Sequence, residues 1–176
     1  GRVTGAVMVF RDVGEARALS MKMAHLAQHD SLTDLPNRSL LRDRLGQAVS
    51  LAYRRRHKMA LMFVDLDRFK PINDAFGHAV GDHVLRVVSQ RLLACVRESD
   101  TVSRQGGDEF VVLLPEIVNA QDAALTAEKI LSAISAPFHH EGVEIHITAS
   151  VGIATYPDGG RDADLLYKNA DMAMYN

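Results

Sequence analysis

The chain has 176 residues, of which 47% are hydrophobic and 24% charged, with a formal net charge of -2 at pH 7. That composition supports one good core and excludes the basic face of a nucleic-acid-binding domain, so no nucleic-acid partner is expected. The lone Cys95 excludes an internal disulfide and mildly favours a reducing, cytoplasmic compartment, and no apolar run approaches the roughly 18 residues of a membrane span.

Gly1 to Val13, "GRVTGAVMVFRDV", alternates like a strand and stops at Gly14, too short to make a sheet alone. Glu15 to His29 turns helical, with Ala18, Met21 and Leu26 spaced for a seam that needs a partner. "DSLTDLPN" then breaks the helix with Asp, Thr, Pro36 and Asn37. A second helix is predicted from about Arg38 to Arg56, where "RRRHK" reads as a solvated helix end whose cations suit the helix dipole. "MALMFVD", Met59 to Asp65, has the length and continuous apolarity of a central buried strand. Helices are predicted near Arg68 to Phe76 and Val80 to Val96, the latter with Cys95 on its apolar face.

"FVVLLP", Phe110 to Pro115, is a second buried strand, and Ala120 to Ala136 a further helix. "VEIHITASVGI" places Val143, Ile145, Ile147, Ala149, Val151 and Ile153 on one face of a strand at period two, and a last helix spans Ala163 to Tyr175. The resulting order is strand, helix, strand, strand, helix, strand around one core, led in by two helices. It predicts an α+β fold with the β-α-β-β-α-β arrangement of ferredoxin-like sheets.

Neighbouring strands lie roughly 4.8 Å apart, so Asp65 at the end of one and Asp108 and Glu109 at the start of another can converge on one sheet edge. Carboxylates that close repel unless a cation sits among them, and hard oxygen ligands without Cys or regular His spacing point to Mg2+. Gly106 and Gly107 permit a tight turn with φ > 0 and close approach of backbone to a phosphate. Taken alone, "GGDE" reads slightly better as an ordinary surface hairpin with solvated acids.

Three motifs in order change that balance. "DSLTDLPNR" (Asp30 to Arg38), "DLDRFKPINDAFGHAVGD" (Asp65 to Asp82) and "GGDEF" (Gly106 to Phe110) together resemble the GGDEF family of diguanylate cyclases, over about Asp30 to Asn176. The resemblance implies a nucleotidyl-cyclase palm-type domain that condenses two GTP into cyclic di-GMP with release of pyrophosphate. It implies Asp65, the Leu66 carbonyl and Asp108 as ligands of Mg2+, with Mn2+ the alternative ion. Asp108 would also accept the proton of the ribose 3′-hydroxyl, with Glu109 supporting the metal site and Lys70 stabilising charge on the phosphates. Asn73 and Asp82, with His78 beside them, would read guanine, while Gly106, Gly107 and Arg104 would serve the substrate's phosphates. Asp82 can accept from guanine N1–H and N2–H₂ together; as ordinary structure it would be a helix N-cap after Gly81, and Asn73 a turn former.

Arg97 and Asp100 in "RESD" have the spacing of the family's RxxD inhibitory site for cyclic di-GMP; the plainer reading is a basic residue closing a helix and an Asp in the next loop. Pro71, directly after Lys70, is tolerable only in a first helical turn. The family places a further basic phosphate contact beyond Asn176, so the GGDEF domain is expected to be cut off near its C-terminus. "GAVMVFRDV" resembles the closing strand of a PAS sensor domain. The expected division is therefore 1–13 as the end of an upstream PAS-like domain, 14–30 as a signalling helix and 31–176 as the GGDEF domain. A homodimer is expected for activity, in the cytoplasmic part of a membrane-anchored bacterial signalling protein that carries a PAS-like sensor upstream and a phosphodiesterase domain downstream. The alternative function is a non-catalytic module that binds GTP or cyclic di-GMP and regulates such a neighbour.

Overall fold

A computed structural model describes residues 14–140 and 142–174. The strand expected over Gly1 to Val13 lies outside them. The chain runs α1 (Gly14–Gln28), α2 (Arg38–Arg55), β1 (Lys58–Asp67), α3 (Phe69–Phe76), α4 (His78–Cys95), β2 (Thr101–Gly106), β3 (Glu109–Ile117), α5 (Ala120–Ser135), β4 (Phe138–His140), β5 (Val143–Ile145), β6 (Thr148–Tyr156) and α6 (Ala163–Met174).

Local chemistry sets the element starts. Asn37 caps α2, its Oδ1 accepting from the Ser39 and Leu40 amides at 3.0 and 3.2 Å, which satisfies donors that have no partner inside the helix. Asn119 and Asp122 form a reciprocal capping box at the start of α5. In α2, Leu41, Leu45, Ala48 and Ala52 recur at three- and four-residue spacing and are all buried, the apolar stripe of a surface helix.

Four strands form one antiparallel sheet in the order β2-β3-β1-β6, the strand order of a ferredoxin-like β-α-β-β-α-β fold. Helices cover both faces. Val84, Leu85, Val88 and Leu92 of α4 and Ala123, Ala127, Ile130 and Ile134 of α5 join one core. Leu41 and Leu45 of α2 and Leu166 and Ala170 of α6 join the other. β1, buried from Met59 to Val64, is central to both, which is why its sequence shows no alternation.

The sequence reading joined Val143 to Ile153 in one strand, and the structure divides it. Val143–Ile145 pairs with β4 in a separate two-stranded hairpin, and β6 begins at Thr148. Ile145 and Ile147 are buried, and Ala149, Val151 and Ile153 pack on the same core, whereas Val143 is 42% exposed. α4 also starts earlier than the apolar periodicity indicated, at His78, because Gly77 with φ of 85° turns the chain sharply out of α3. Asp82 therefore sits inside α4 and is not its N-cap.

Candidate active site

β1 carries Asp65 to the edge of the sheet between two partners. Asp65 is in register with Glu109 of β3 on one side and Ser150 of β6 on the other. Asp108 follows the Gly106–Gly107 turn, and the Leu66 amide donates to its carbonyl at 3.4 Å. Gly106 (φ 137°) and Gly107 (φ 54°) have open space where a Cβ would stand, so backbone conformation and not crowding requires glycine there. The turn thus brings Asp65, Asp108 and Glu109 to one edge.

Burial first, and then the charges of Asp108, Glu109 and Asp67, push the Asp65 carboxyl up to about 6. Negative charge here is undercompensated by the protein's own groups. Among the described residues no three acids or imidazoles close around one point; the set that the resemblance implies, Asp65, Asp108 and the Leu66 carbonyl, offers two carboxylates on one cleft. That set suits Mg2+, which binds through one or two carboxylates and keeps other positions for water and phosphate.

Asp65, Leu66 and Asp108 line an open cleft of about 780 Å³ together with Lys70, Pro71, Thr148 and Ser150. Lys70 is the second residue of α3 and exposed, so its ammonium can reach into the cleft. Pro71 is the third, inside the first turn, where its missing N–H costs no helical hydrogen bond. Arg68, at φ 56°, makes the strand-to-helix corner.

Arg104, expected to serve phosphates, is bound in this structure to protein groups. Its Nη1 donates to both oxygens of Asp30, at 2.9 and 3.1 Å, while Nε and Nη2 donate to the Gly107 carbonyl at 3.1 and 2.7 Å. The two side chains are only 10% and 20% exposed. The guanidinium is committed to tying the Asp30 turn to the glycine turn. Burial pushes the Asp30 carboxyl up, but hydrogen bonds from Thr33 and Arg104 outweigh this and hold it below the usual carboxylate range.

Asn73, His78 and Asp82 lie outside the residues lining this cleft, on α3 and α4. A Cβ at Gly81 would collide with the Asn73 amide oxygen, so this glycine lets the Asn73 side chain lie against α4. Asn73 and Asp82 are partly buried and His78 is exposed. Arg97 and Asp100 stand apart, in the turn after α4. The Arg97 amide donates to Asp100 Oδ2 at 2.8 Å and the Asp100 amide to the Arg97 carbonyl at 3.0 Å. Asp100 therefore closes the turn, while Arg97 is exposed. Both line a groove of about 490 Å³ with Glu116 and Asp122.

A family model described as "Diguanylate cyclase, GGDEF domain" matches residues 27–176. The chain belongs to that family. Over 161 residues, 92% of the chain, it is 49% identical to the bifunctional diguanylate cyclase/cyclic di-GMP phosphodiesterase MucR of Pseudomonas aeruginosa, of which it covers 23%. The solved GGDEF domain of TpbB from the same organism superposes with a TM-score of 0.82 at 44% identity, over 84% of this chain and 86% of that one. The coiled coil and GGDEF domain of DgcB from Caulobacter crescentus, solved with cyclic di-GMP, gives 0.85 at 28% identity, over 93% and 87%. This GGDEF chain spans about a quarter to a third of the length of the first curated relatives it matches.

Sequence reasoning missed two parts of the site. It did not pair Arg104 with Asp30, 74 residues apart, and it did not bring Thr148 and Ser150 into the cleft. For the second a signal existed, two hydroxyls two residues apart at the head of an apolar alternation, but the strand they would face was not readable.

Proposed function

We propose that this GGDEF domain is a diguanylate cyclase that condenses two GTP into cyclic di-GMP and two pyrophosphates. In each half-reaction a ribose 3′-oxygen forms a bond to the α-phosphorus of the other GTP, the bond from that phosphorus to pyrophosphate breaks, and the hydroxyl proton leaves to a base. The observation that carries the reading is that Asp65 and Asp108 line one cleft whose wall also holds Lys70, with Glu109 in register beside Asp65. Bound at Asp65, Asp108 and the Leu66 carbonyl, Mg2+ or Mn2+ would lower the pKa of the attacking hydroxyl and neutralise charge on the leaving group.

Asp108 accepts the 3′-hydroxyl proton, and Glu109, paired with Asp65 across the ladder, keeps the edge negative enough to hold the ion. Lys70 places a positive charge against the phosphates. Asn73 and Asp82, with His78 at the helix start, receive the guanine, where the Asp82 carboxylate can accept two N–H groups that adenine does not offer in that arrangement. Arg97 and Asp100 form the product-inhibitory site, the exposed guanidinium pairing with guanine and phosphate.

Incubating the protein with GTP and Mg2+ and separating the nucleotides by chromatography tests this reading. Cyclic di-GMP is expected from GTP and nothing comparable from ATP. Asp108→Ala is expected to remove activity, and an Asp108→Ala protein of full activity would refute the assignment.

A second reading is favoured by relatives of this chain that are named as cyclic di-GMP phosphodiesterases alone. In it this domain binds GTP or cyclic di-GMP and regulates a phosphodiesterase neighbour without turnover. The retained Asp65, Lys70, Asp108 and Glu109 favour catalysis. A sensor ahead of α1 and a phosphodiesterase after α6 are the partners either reading proposes, within a membrane-anchored protein whose catalytic part is cytoplasmic. No helix among the described residues is long and apolar enough to cross a membrane.

A further inference from the structure

Two residues beyond Asp65, Asp67 lies on the same face of β1. It is in register with Thr148 of β6, as Asp65 is with Ser150. Its two oxygens are each taken by one hydroxyl: Thr148 Oγ1 donates to Oδ2 at 2.6 Å and Ser150 Oγ donates to Oδ1 at 2.8 Å. A hydroxyl has one proton and two lone pairs. Both protons are spent on Asp67, so Thr148 and Ser150, which line the cleft, offer it lone pairs only.

That polarity selects what can bind there. A phosphate oxygen is itself an acceptor and gains nothing from this wall. A group bringing O–H donors meets two oriented acceptors. Side chains directly opposite in an antiparallel pair have Cβ atoms about 5 Å apart, so a donor carried on a cation at Asp65 falls within reach of Ser150.

We infer that Asp67 is a positioning residue, fixing Ser150 and Thr148 as acceptors for an O–H group carried on the cation at Asp65. The donor is either a water of the hydrated ion, which Mg2+ retains, or a ribose hydroxyl of the nucleotide. The inference rests on the metal reading of Asp65 proposed above.

Asp67→Asn is the sharpest probe. An amide keeps the shape but accepts at only one end; its NH₂ must donate to the other hydroxyl, whose proton then turns into the cleft. The first arm titrates the full chain with Mn2+ in the absence of nucleotide, following the electron paramagnetic resonance signal of the free ion. The second measures equilibrium binding of the uncleavable α,β-methylene analogue of GTP with Mn2+ present. Ser150→Ala and Asp67→Asn are each expected to weaken binding about fivefold, the worth of one neutral hydrogen bond, and Ser150→Thr, which keeps the hydroxyl, to restore it.

A loss already present with Mn2+ alone assigns the donor to metal-bound water, and a loss confined to the analogue assigns it to ribose. Unchanged affinity in both arms, for Ser150→Ala proteins with wild-type melting temperature, overturns the inference, as does a wild type that takes up no Mn2+. Should Ser150→Ala fail to fold, Asp67→Asn decides the question by the same two arms. Neither arm needs product. A wild type that makes no cyclic di-GMP while Ser150→Ala weakens Mn2+ binding would refute the cyclase reading and leave this one standing; product formation with unchanged affinities would do the reverse.

Discussion

At the scale of single residues, the site is held in a state its own charges oppose. Asp65 is raised to about 6 by burial and by three acidic neighbours, whereas an unfolded chain holds it near its ordinary value. Between roughly pH 4 and 6 the folded state thus binds more protons than the unfolded one, and metal-free stability falls as pH rises through that window. A shift of this size would be about 3 kcal/mol if fully buried, but Asp65 is partly exposed, and solvent screening reduces it to roughly 1 kcal/mol. Asp65→Asn is therefore expected to raise the melting temperature of the metal-free protein at pH 7.5 by about 2–4 °C. The gain should vanish below pH 4, and cyclase activity should be lost. Calorimetric scans with and without Mg2+ check this, since the ion should stabilise the wild type more than the variant. Arg104 is the opposite kind of residue, its charge matched by Asp30 and the Gly107 carbonyl. Arg104→Ala leaves Asp30 and the Gly107 carbonyl short of donors and is expected to cost about 2 kcal/mol and to lower kcat by loosening the turn that carries Asp108. Arg104→Lys should restore little, because a point charge cannot replace the fork. Denaturant melts of Arg104→Ala, Asp30→Ala and the double variant test the coupling, with non-additive losses expected.

At the scale of elements, the sequence was legible where one local signal dominates. The helices read from about Arg38 and from Ala120 begin at those residues in the structure, and the unbroken apolar run of β1 announces a strand covered on both faces. Asp108 and Glu109 could be placed beside Asp65 because a glycine turn and a buried strand fix their position. Legibility failed where a long-range pairing decides. Val143 to Ile153 keeps an unbroken period-two pattern, yet its first three residues turn to β4 and its remainder to β1. Nothing local distinguishes those partners. Arg104 failed for the same reason, its charge reading equally well as phosphate contact or as structural clamp until Asp30 stood beside it. The turn after α4 carries its own prediction. Asp100 closes that turn through the Arg97 amide while Arg97 is exposed, so in the proposed inhibitory site ligand recognition would rest on Arg97. Arg97→Ala should leave the initial rate of cyclic di-GMP synthesis nearly unchanged and raise the level reached at long times. Unchanged inhibition by added cyclic di-GMP in that variant would leave Arg97 with no more than a helix-end role.

At the scale of the whole molecule, the proposed reaction gives one domain one set of metal ligands and one guanine site, whereas its product would join two GTP molecules that attack each other. Catalysis is therefore expected to require two chains facing each other about a two-fold axis. α1 is the element placed to join them. Its last turn is fastened to the domain by the Asn37 side chain on the Ala27 carbonyl at 2.9 Å and by His25 on Asp34 at 2.7 Å. Leu19, Met21, Met23 and Leu26 meanwhile remain 56–66% exposed, so the helix does not spend its apolar face on its own domain. The sequence reading drew the seam through Ala18, Met21 and Leu26. Leu19, Met23 and Leu26, spaced four and then three residues apart, follow the coiled-coil repeat better. About four turns of isolated helix are marginal in water, so the chain alone is expected to be mostly monomeric at low concentration, with a specific rate that climbs as protein concentration rises. A stable parallel coiled coil fused ahead of Glu15, in register with Leu19 and Leu26, should remove that dependence and raise the rate by holding the domains at high effective concentration. Replacing Leu19, Met23 and Leu26 together by Ser should steepen it, with thermal stability of the domain unchanged because those side chains bury little within one chain. Sedimentation and initial-rate measurements across a hundredfold dilution decide the matter: a specific activity that stays flat in a protein shown to be monomeric would exclude the dimer mechanism.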